Sequence, residues 1–226
     1  MVELSKEAIG ARIAKNIAAL VDRLAGEDTF VLNLGVGIPT QVAEYVTNDN
    51  VFIQAENGMI GVGPLAKPGE EHPMLCNAGR QPVTETPGCS YLDSSASFGL
   101  IRGGYVDATV LGAFEVDQQG DIANWIIPNG KQLGVGGAMD LVAGANRVMV
   151  AMTHTSKGKP KLIEKCTLPL TGVGEVDYVV TECCMLRRQN GNYELFGLAP
   201  ELTVEELREI TGLAFTVAPD CRPMLA

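Results

Sequence analysis

Glu56 is the residue whose type and position best fit a catalytic role. It follows Val51-Phe52-Ile53, a run that predicts a short buried strand because β-branched and aromatic side chains pack well on a pleated surface. Asn57-Gly58 comes next and predicts a turn. In open α/β sheets, ligands bind beside the carboxyl ends of strands. At such an edge, Glu56 can be a nucleophile, a base, a group that binds a sugar hydroxyl, or a solvated turn residue.

Three glycine-rich segments could present backbone amides to a ligand. Gly35-Val36-Gly37 separates a strand predicted at residues 30–34 from a helix that Pro39 is expected to open. Residues 58–64 follow Glu56 and suggest a second ligand-binding segment or an irregular loop. Residues 134–137 precede a short apolar helix, where glycines can hold an oxyanion or allow close helix packing.

The first glycine segment keeps two function classes open. Glu56 lies about twenty residues beyond it, where dinucleotide-binding folds carry a ribose-binding acid, but Thr40 stands where their third glycine is needed. A nicotinamide-dependent oxidoreductase is therefore one alternative. A non-catalytic sugar-phosphate sensor or isomerase-like module is the other.

The histidines and cysteines give weaker signals. His154 follows a predicted strand and could be a general base, although a single histidine there is more often a hydrogen-bonded structural group. The six cysteines include no C-x-x-C pair and no histidine at zinc spacing, so no metal site is predicted. Most of them are expected to be free, buried thiols: Cys76, Cys89, Cys166, Cys183, Cys184 and Cys221.

Composition limits the class of protein. The 226 residues are 46% hydrophobic and 19% charged, which is typical of a globular chain and fits one domain over residues 1–226. A net charge of -10 argues against nucleic acid and anionic membranes as partners. Residues 1–7 are charged, and no apolar run is long enough to span a bilayer, so a cytoplasmic protein is expected.

Hydrophobic periodicity predicts the elements that must position Glu56. A first helix is expected between Ser5 as its cap and Gly26 as its stop, and others after Asp93, after residues 134–137 and after a capping box at Thr203. Residues 154–160 are expected to form a polar loop. Further strands are predicted at residues 106–113, 147–152, 161–167, 176–181, 185–188, 193–198 and 213–217, with hairpins at 115–125 and 189–192. This alternation predicts an α/β fold with three αβα layers, in which a central, mostly parallel, mixed sheet has an antiparallel tail.

Seven segments in order resemble the β subunit of class I coenzyme A transferases, of the 3-oxoacid, acetate and butyrate-acetoacetate type. The segments are residues 33–40, 56–64, 77–79, 93–98, 101–104, 123–125 and 136–142, and the resemblance continues through residues 165–171. It implies the fold of coenzyme A transferases. It also implies transfer of CoA between an acyl-CoA and a short-chain acid of the acetoacetate, acetate, butyrate or succinate class, as in ketone-body or short-chain fatty acid metabolism.

The resemblance assigns roles to individual residues. It makes Glu56 the nucleophile that carries a glutamyl-CoA thioester, and it places an oxyanion-binding amide at Gly137, with Gly136 as the second choice. An ordinary glutamate has a pKa of about 4.3 and needs no base to ionise it. No bound cofactor is implied, since coenzyme A is a substrate. The residues expected near the CoA site are Gly35, Gly37, Asn57, Gly136, Lys131 and Lys157, the two lysines being phosphate contacts or solvated surface residues.

The chain differs from the family's usual sequence at two positions, and the resemblance also implies a partner subunit. Ala55 stands where relatives usually have serine, and Arg80 replaces a small residue after Asn77-Ala78-Gly79, so Arg80 could alter acyl selectivity or contact an anionic substrate. The family's α subunit carries a glycine-rich CoA loop of its own. A hetero-oligomer with its active site at the subunit boundary is therefore expected, and this chain alone should be inactive.

Overall fold

The computed structural model describes residues 4–130 and 134–226. Its helices are α1 (Lys6–Ala25), α2 (Ser94–Arg102), α3 (Ala138–Gly144) and α4 (Val204–Glu209), with a 3₁₀ helix at Pro39–Glu44. Its strands are β1 (Phe30–Leu34), β2 (Val51–Ala55), β3 (Met59–Leu65), β4 (Val83–Tyr91), β5 (Ala108–Leu111), β6 (Glu115–Asp117), β7 (Ile122–Ala123), β8 (Val148–Ala151), β9 (Thr155–Ser156), β10 (Lys159–Pro160), β11 (Leu162–Ile163), β12 (Tyr178–Val180), β13 (Cys184–Gln189), β14 (Asn192–Leu198) and β15 (Phe215–Pro223).

A mixed sheet of ten strands forms the centre of the fold. Its order is β15-β14-β13-β12-β8-β5-β1-β2-β3-β4. The inner strands β12, β8, β5, β1 and β2 are all parallel. Antiparallel pairs flank them on both sides, at β2–β3–β4 and at β12–β13–β14. The predicted mixed, mostly parallel sheet is confirmed, but the antiparallel strands are not confined to a tail.

Helices cover both faces of this sheet. Ile13 and Ile17 of α1 pack in one hydrophobic cluster with Met149 of β8. Leu207 of α4 packs in a second cluster with Val150, the next residue of β8. Neighbouring residues of a strand point to opposite faces, so the two clusters lie on opposite sides of the sheet. The predicted three-layer αβα arrangement is confirmed.

The helix caps lie where the sequence predicts them. Ser5 caps α1 by accepting a hydrogen bond from the amide of Ala8, and the helix ends at Gly26. Asp93 caps α2 through the amide of Ala96. At α4 the capping box is complete, with Thr203 and Glu206 bonded to each other's backbone amides. Each of these signals depends on residues three or four positions apart, which is why the sequence alone reveals them.

Two predictions about the glycine segments were wrong. Pro39 opens a 3₁₀ helix of six residues instead of an α-helix, and its hydrogen bonds include Gln41 to Ile38. Residues 58–64 do not form an irregular loop, because most of them belong to strand β3, and their contact with a ligand stays a prediction. A methyl group on Gly63 would lie 2.9 Å from the carbonyl oxygen of Thr84, so this glycine serves the close approach of β4.

Other predicted boundaries shifted. Residues 154–160 form the small hairpin β9–β10 where a polar loop was expected. Only Leu162–Ile163 of the strand predicted at 161–167 is extended, and it pairs with β6 in a small separate sheet. The strand predicted at 213–217 runs on to Pro223.

His154 is a structural residue between β8, β12 and the segment after α4. It is fully buried. Its Nε2 lies 3.0 Å from the hydroxyl of Thr211, which donates its own proton to Leu207, so Nε2 carries the ring proton. Its Nδ1 lies 3.1 Å from the hydroxyl of Thr181 and accepts from it. Burial lowers the pKa of His154 to about 4.

Folding stability is expected to fall as the solution is acidified through the range set by His154. The unfolded histidine takes up a proton near pH 6.5, whereas the folded one resists until about pH 4. The free energy of unfolding should therefore drop by up to roughly 3 kcal/mol between these pH values, with no contribution from this group above pH 7. Thermal melting of wild type and His154→Gln at half-unit pH steps measures it. An unchanged slope in the variant would assign the pH dependence to other groups.

Candidate active site

The turn after β2 fixes the backbone of Glu56. Gly58 donates its amide to Ala55 at 3.0 Å, and Leu92 donates to the carbonyl oxygen of Gly58 at 2.8 Å. The hydroxyl of Ser97 in α2 donates to the carbonyl oxygen of Glu56 at 2.8 Å. The carboxyl end of β2 is thus bonded to the segment that begins α2. This places Glu56 at the carboxyl edge of the parallel strands, as the sequence predicted.

A chain of buried polar side chains runs beneath Glu56. Thr109 of β5 donates to Oδ1 of Asn33 at 3.1 Å, and Nδ2 of Asn33 donates to Oε1 of Gln54 at 2.7 Å. Nε2 of Gln54 donates to Ser97 at 3.2 Å. The exposed fraction is 0% for Asn33, Ser97 and Thr109 and 1% for Gln54. The same Nδ2 of Asn33 lies 3.4 Å from Oε2 of Glu56.

Gly137 lies against the side chain of Glu56. A methyl group added to Gly137 would lie 3.3 Å from Cγ of Glu56 and 3.2 Å from Cζ of Phe98. Gly137 is also the residue that precedes α3. The two residues predicted to be catalytic are 81 positions apart in the chain (137 − 56) and adjacent in space. Gly136, the second choice, has φ of +50°, and a methyl group added there would meet no atom within 4 Å, so Gly137 is the one in contact.

Close packing of α2 on α3 sets the distance between Glu56 and Gly137. A methyl group on Gly144 would lie only 2.3 Å from the carbonyl oxygen of Ile101, so the helix backbones touch at this glycine. Nε of Arg102 forms an ion pair with Asp140 at 2.7 Å. That pair is largely exposed on the arginine side and contributes about 1 kcal/mol or less. The small residue, more than the ion pair, maintains the geometry.

The predicted CoA-contacting glycines lie near the same edge. The amide of Gly35 is bonded to the carbonyl oxygen of Val110 at 2.9 Å, so it is not available to a ligand. The hydroxyl of Thr40 closes the loop by donating to the carbonyl oxygen of Gly35 at 2.9 Å. Gly37 has φ of +97° and an open flank. Contact of Gly35 and Gly37 with CoA stays a prediction.

The other predicted contacts are dispersed. Asn57 is exposed and donates to the carbonyl oxygen of Cys76 at 2.9 Å, which ties the turn after Glu56 to the loop before β4. Lys157 is exposed in the β9–β10 turn. Lys131 lies outside the described residues. Arg80 is exposed in a compact turn closed by hydrogen bonds between Asn77 and Gln81. The contacts of Asn57, the lysines and Arg80 with substrate stay predictions.

A groove of about 1150 Å³ opens beside the site, between the 3₁₀ helix and strands β2 to β4. Gly37, Gln54 and Ala55 line it, but Glu56 and Gly137 do not. Among the described residues along its walls, the charged ones are Glu44 and Asp49. Such walls do not match the phosphates of CoA.

All six cysteines are free. Only Cys183 and Cys184 are buried, and the other four are half-buried, so the prediction of buried thiols holds for two of them. Burial raises the pKa of Cys183 to about 12. Burial, reinforced by the nearby carboxylates of Asp117 and Glu115, also raises the pKa of Cys166. Burial raises the pKa of Cys89, Cys184 and Cys221 as well.

Neither a metal site nor a membrane-spanning helix occurs in the described part of the chain. No three histidine, cysteine, aspartate or glutamate side chains there are grouped so that they could hold a metal ion. Within residues 4–130 and 134–226, no helix has both the length and the apolar character needed to cross a membrane.

Sequence reasoning did not assign roles to Gln54, Ser97, Thr109 or Asn33. A signal for them was present, because Asn33, Gln54 and Thr109 are polar residues inside otherwise apolar strand patterns. Buried polar side chains are rarely tolerated without partners, so three of them on neighbouring strands indicate a shared network. Their mutual contact depends on strand order and register, with Asn33 beside both Gln54 and Thr109.

Known proteins resemble the chain along most of its length. The family model described as coenzyme A transferase matches residues 15–210. A Bacillus subtilis protein named probable coenzyme A transferase subunit beta is 45% identical over 183 residues, which are 80% of this chain and 84% of that protein. The acetate CoA-transferase subunit beta of Escherichia coli is 39% identical over 218 residues, 96% of this chain and 95% of that one.

A solved structure shares the fold. The acyl-CoA transferase YdiF of Escherichia coli O157:H7 superposes with a TM-score of 0.72 at 20% identity, over all of this chain and 44% of the YdiF chain. This chain thus spans less than half of YdiF. The family match covers the strand that precedes Glu56, the polar chain beneath it and the helix after Gly137. On these grounds the chain belongs to the coenzyme A transferase family.

Proposed function

We propose that this chain is the β subunit of an enzyme that transfers CoA between an acyl-CoA and a short-chain carboxylic acid, through a glutamyl-CoA thioester on Glu56. The observation that carries the proposal is the contact between Glu56 and Gly137 at the carboxyl edge of the parallel strands. A carboxylate and the residue that precedes a helix are thereby held together by elements far apart in sequence. This is the pairing that acyl transfer requires, since it needs a nucleophile and an oxyanion donor on one carbonyl.

The reaction proceeds by successive acyl transfers. The carboxylate of Glu56 attacks the thioester carbonyl, and the CoA thiolate leaves as an acyl-glutamyl anhydride forms. The thiolate then attacks the glutamyl carbonyl, which releases the first acid and leaves CoA on Glu56. A second acid reverses these steps and departs as its CoA ester. YdiF, which shares the fold, is described in a thioester complex with CoA.

The rate of each step depends on position more than on acid–base groups. His154 is buried in a structural role and contributes nothing to the site. Holding a carboxylate against a thioester can reach effective molarities on the order of 10⁵ to 10⁸ M. A preorganised amide on the developing oxyanion contributes roughly 10² to 10³ in rate. We assign this amide to Gly137, because it is the glycine in contact with Glu56.

A partner subunit is needed to close the site. Glu56, Gly137 and Phe98 are all only partly buried. Two apolar side chains at the same edge are exposed, Met139 by 42% and Val36 by 65%. Anhydride and thioester intermediates hydrolyse readily, so a productive site must exclude water. Relatives are named as β subunits, and we infer that a separate α subunit covers this edge.

The acid substrate belongs to the short-chain class. The Escherichia coli relative is named an acetate CoA-transferase. We infer acetate, acetoacetate, butyrate or succinate as the class for this chain. Its negative charge and the acids along the groove leave few cations for the phosphates of CoA, so local contacts such as Lys157, or residues of the α subunit, must bind them.

The test detects covalent attachment of CoA to Glu56. The chain co-purified with its partner subunit should gain the mass of CoA on the peptide that contains Glu56 after incubation with acetoacetyl-CoA. Borohydride should reduce this thioester, which breaks the C–S bond, releases CoA as the thiol and leaves the side chain of residue 56 as an alcohol. Glu56→Gln should gain no mass, whereas Glu70→Gln, which alters an exposed glutamate elsewhere, should label as wild type does. An unlabelled wild-type complex, or tight binding of a nicotinamide nucleotide in its place, would contradict the proposal.

A further inference from the structure

The aromatic ring of Phe98 lies at the point where Glu56 and Gly137 meet. A methyl group built on Gly137 would lie 3.2 Å from Cζ and 3.3 Å from Cε1 of Phe98, and 3.3 Å from Cγ of Glu56. The edge of the ring and the aliphatic stem of Glu56 therefore border the same small space beside Gly137. That space is too tight for a methyl group unless its neighbours move, so the three residues pack directly on one another.

Contacts from two helices hold the ring in this place. Phe98 is half-buried in α2 and packs against the hydrophobic core beneath it. The guanidinium of Arg102, one turn further along α2, lies over the ring, with its Cζ atom 5.8 Å from the ring centroid. Arg102 is in turn paired with Asp140 of α3 at 2.7 Å. The ring is thus fixed between the two helices that flank the candidate site.

Helix α2 approaches Glu56 with two successive residues. Ser97 donates its hydroxyl proton to the carbonyl oxygen of Glu56 at 2.8 Å and so holds the main chain. Successive residues of a helix differ in direction by about 100°, which lets Phe98 lie beside the side chain of Glu56 while Ser97 contacts its backbone. The ring of Phe98 has no hydrogen-bonding group. Its effect on the site must therefore come from the space that it fills.

Water is the competitor that such an apolar group can keep away. When water attacks the glutamyl-CoA thioester, its oxygen bonds to the glutamyl carbon and the C–S bond breaks. CoA then leaves as the thiol with one proton of the water, and Glu56 returns to a free carboxylate as the other proton is released. The activated state is lost without transfer to an acid, so a productive site must keep water from the glutamyl carbon.

We propose that Phe98 excludes water from the glutamyl carbon of Glu56, so that the covalent intermediate transfers CoA to an acid instead of being hydrolysed. The inference rests on the proposed function. The α subunit would cover the outer side of the site, and the ring of Phe98 would close the side that this chain contributes. A water molecule in place of the ring would lie beside the stem of Glu56, next to the carbon that reacts.

Three variants of the two-subunit enzyme separate this role from ordinary packing. Phe98→Ala removes the ring, and Phe98→Leu keeps an apolar side chain of smaller size. Phe215→Leu is the matched control, because Phe215 is also a phenylalanine with an arginine over its ring, the Cζ atom of Arg208 lying 4.3 Å from the centroid. Phe215 is buried in β15, the outermost strand toward the opposite end of the sheet from β2.

The decisive readout is hydrolysis of the preformed glutamyl-CoA thioester in water labelled with heavy oxygen. After CoA and the acid are removed by gel filtration, hydrolysis releases CoA and leaves heavy oxygen in the peptide that contains Glu56. We expect Phe98→Ala to hydrolyse the thioester about tenfold faster than wild type or more, and Phe98→Leu about threefold faster. Phe215→Leu should match wild type. KM for acyl-CoA should stay within about twofold in all three, because the ring acts on the intermediate.

The ratio of hydrolysis to transfer distinguishes shielding from packing, since a ring needed only for packing would slow transfer without raising hydrolysis. A wild-type complex that never carries CoA overturns the proposed function. A wild-type complex that carries CoA, with a Phe98→Ala thioester that hydrolyses at the wild-type rate, overturns the role of Phe98 alone. If Phe98→Ala does not fold, Phe98→Leu decides, because a wild-type rate in that variant also rejects the proposal. Loss of CoA without heavy oxygen in the Glu56 peptide would reject it as well.

Discussion

Glu56→Gln is expected to abolish CoA transfer by the two-subunit enzyme. The amide of glutamine has nearly the same size as the carboxylate, but it carries no charge and is a poor nucleophile toward a thioester. Loss of a covalent nucleophile lowers turnover by on the order of 10⁴-fold or more. Steady-state assays of acetoacetyl-CoA consumption with acetate or succinate as the acceptor measure the effect. The melting temperature should stay within about 2 °C of wild type, because the fixed contacts of this residue are made by its backbone.

Glu56→Asp tests position with the charge retained. Removing one methylene withdraws the carboxylate from both Gly137 and Asn33. Misplacing a reacting group by about 1 Å can cost about 10²-fold, so most of the activity should be lost while the negative charge remains. Turnover of either variant at the wild-type rate would show that Glu56 does not react with substrate.

Gly58→Ala is expected to cause a large loss of stability. Gly58 has φ of +122°, which L-residues rarely adopt. A methyl group there would lie 2.1 Å from the carbonyl oxygen of Leu92, so the turn and the start of α2 cannot both keep their places. The unfavourable φ and the clash with Leu92 together should lower the free energy of unfolding by roughly 3 kcal/mol or more. Urea denaturation measures the change.

Gly69→Ala is the matched control for Gly58→Ala. Gly69 also has a positive φ, +88°, but no atom lies within 4 Å of the added methyl group. Gly69→Ala should lower the free energy of unfolding by about 1 kcal/mol, because only the unfavourable φ contributes and no clash is added. Gly58→Ala should also reduce activity at temperatures where the protein is still folded, since Leu92 leads directly into the helix that carries Ser97. Equal stability losses in the two variants would show that the Leu92 contact does not constrain the turn.

The sequence predicted those parts of the fold that depend on neighbouring residues. Helix α1 was delimited from Ser5 to Gly26 because the cap, the apolar spacing and the stop all lie within one segment. Strand β3 was missed because its glycines resemble loop residues, and only the partner strand β4 shows why they are small. The 3₁₀ helix after Pro39 was mistaken for an α-helix because proline begins both.

The sequence predicted the proposed reacting residue of the candidate site, but it did not predict the buried polar side chains beneath that residue. Glu56 could be chosen from a strand followed by a turn, and the resemblance to a family added Gly137. The partners of Asn33 could not be found, since Gln54 is adjacent to it through one strand pairing and Thr109 through another. Such contacts require strand order and register, which no local pattern contains.

The raised pKa values of the cysteine thiols have a consequence for an enzyme that handles activated acyl groups. A thioester passes its acyl group readily to a thiolate, whereas a protonated sulfur is inert toward it. Burial keeps Cys89, Cys166, Cys183, Cys184 and Cys221 protonated at neutral pH. These five sulfur atoms therefore compete poorly with Glu56 for the substrate.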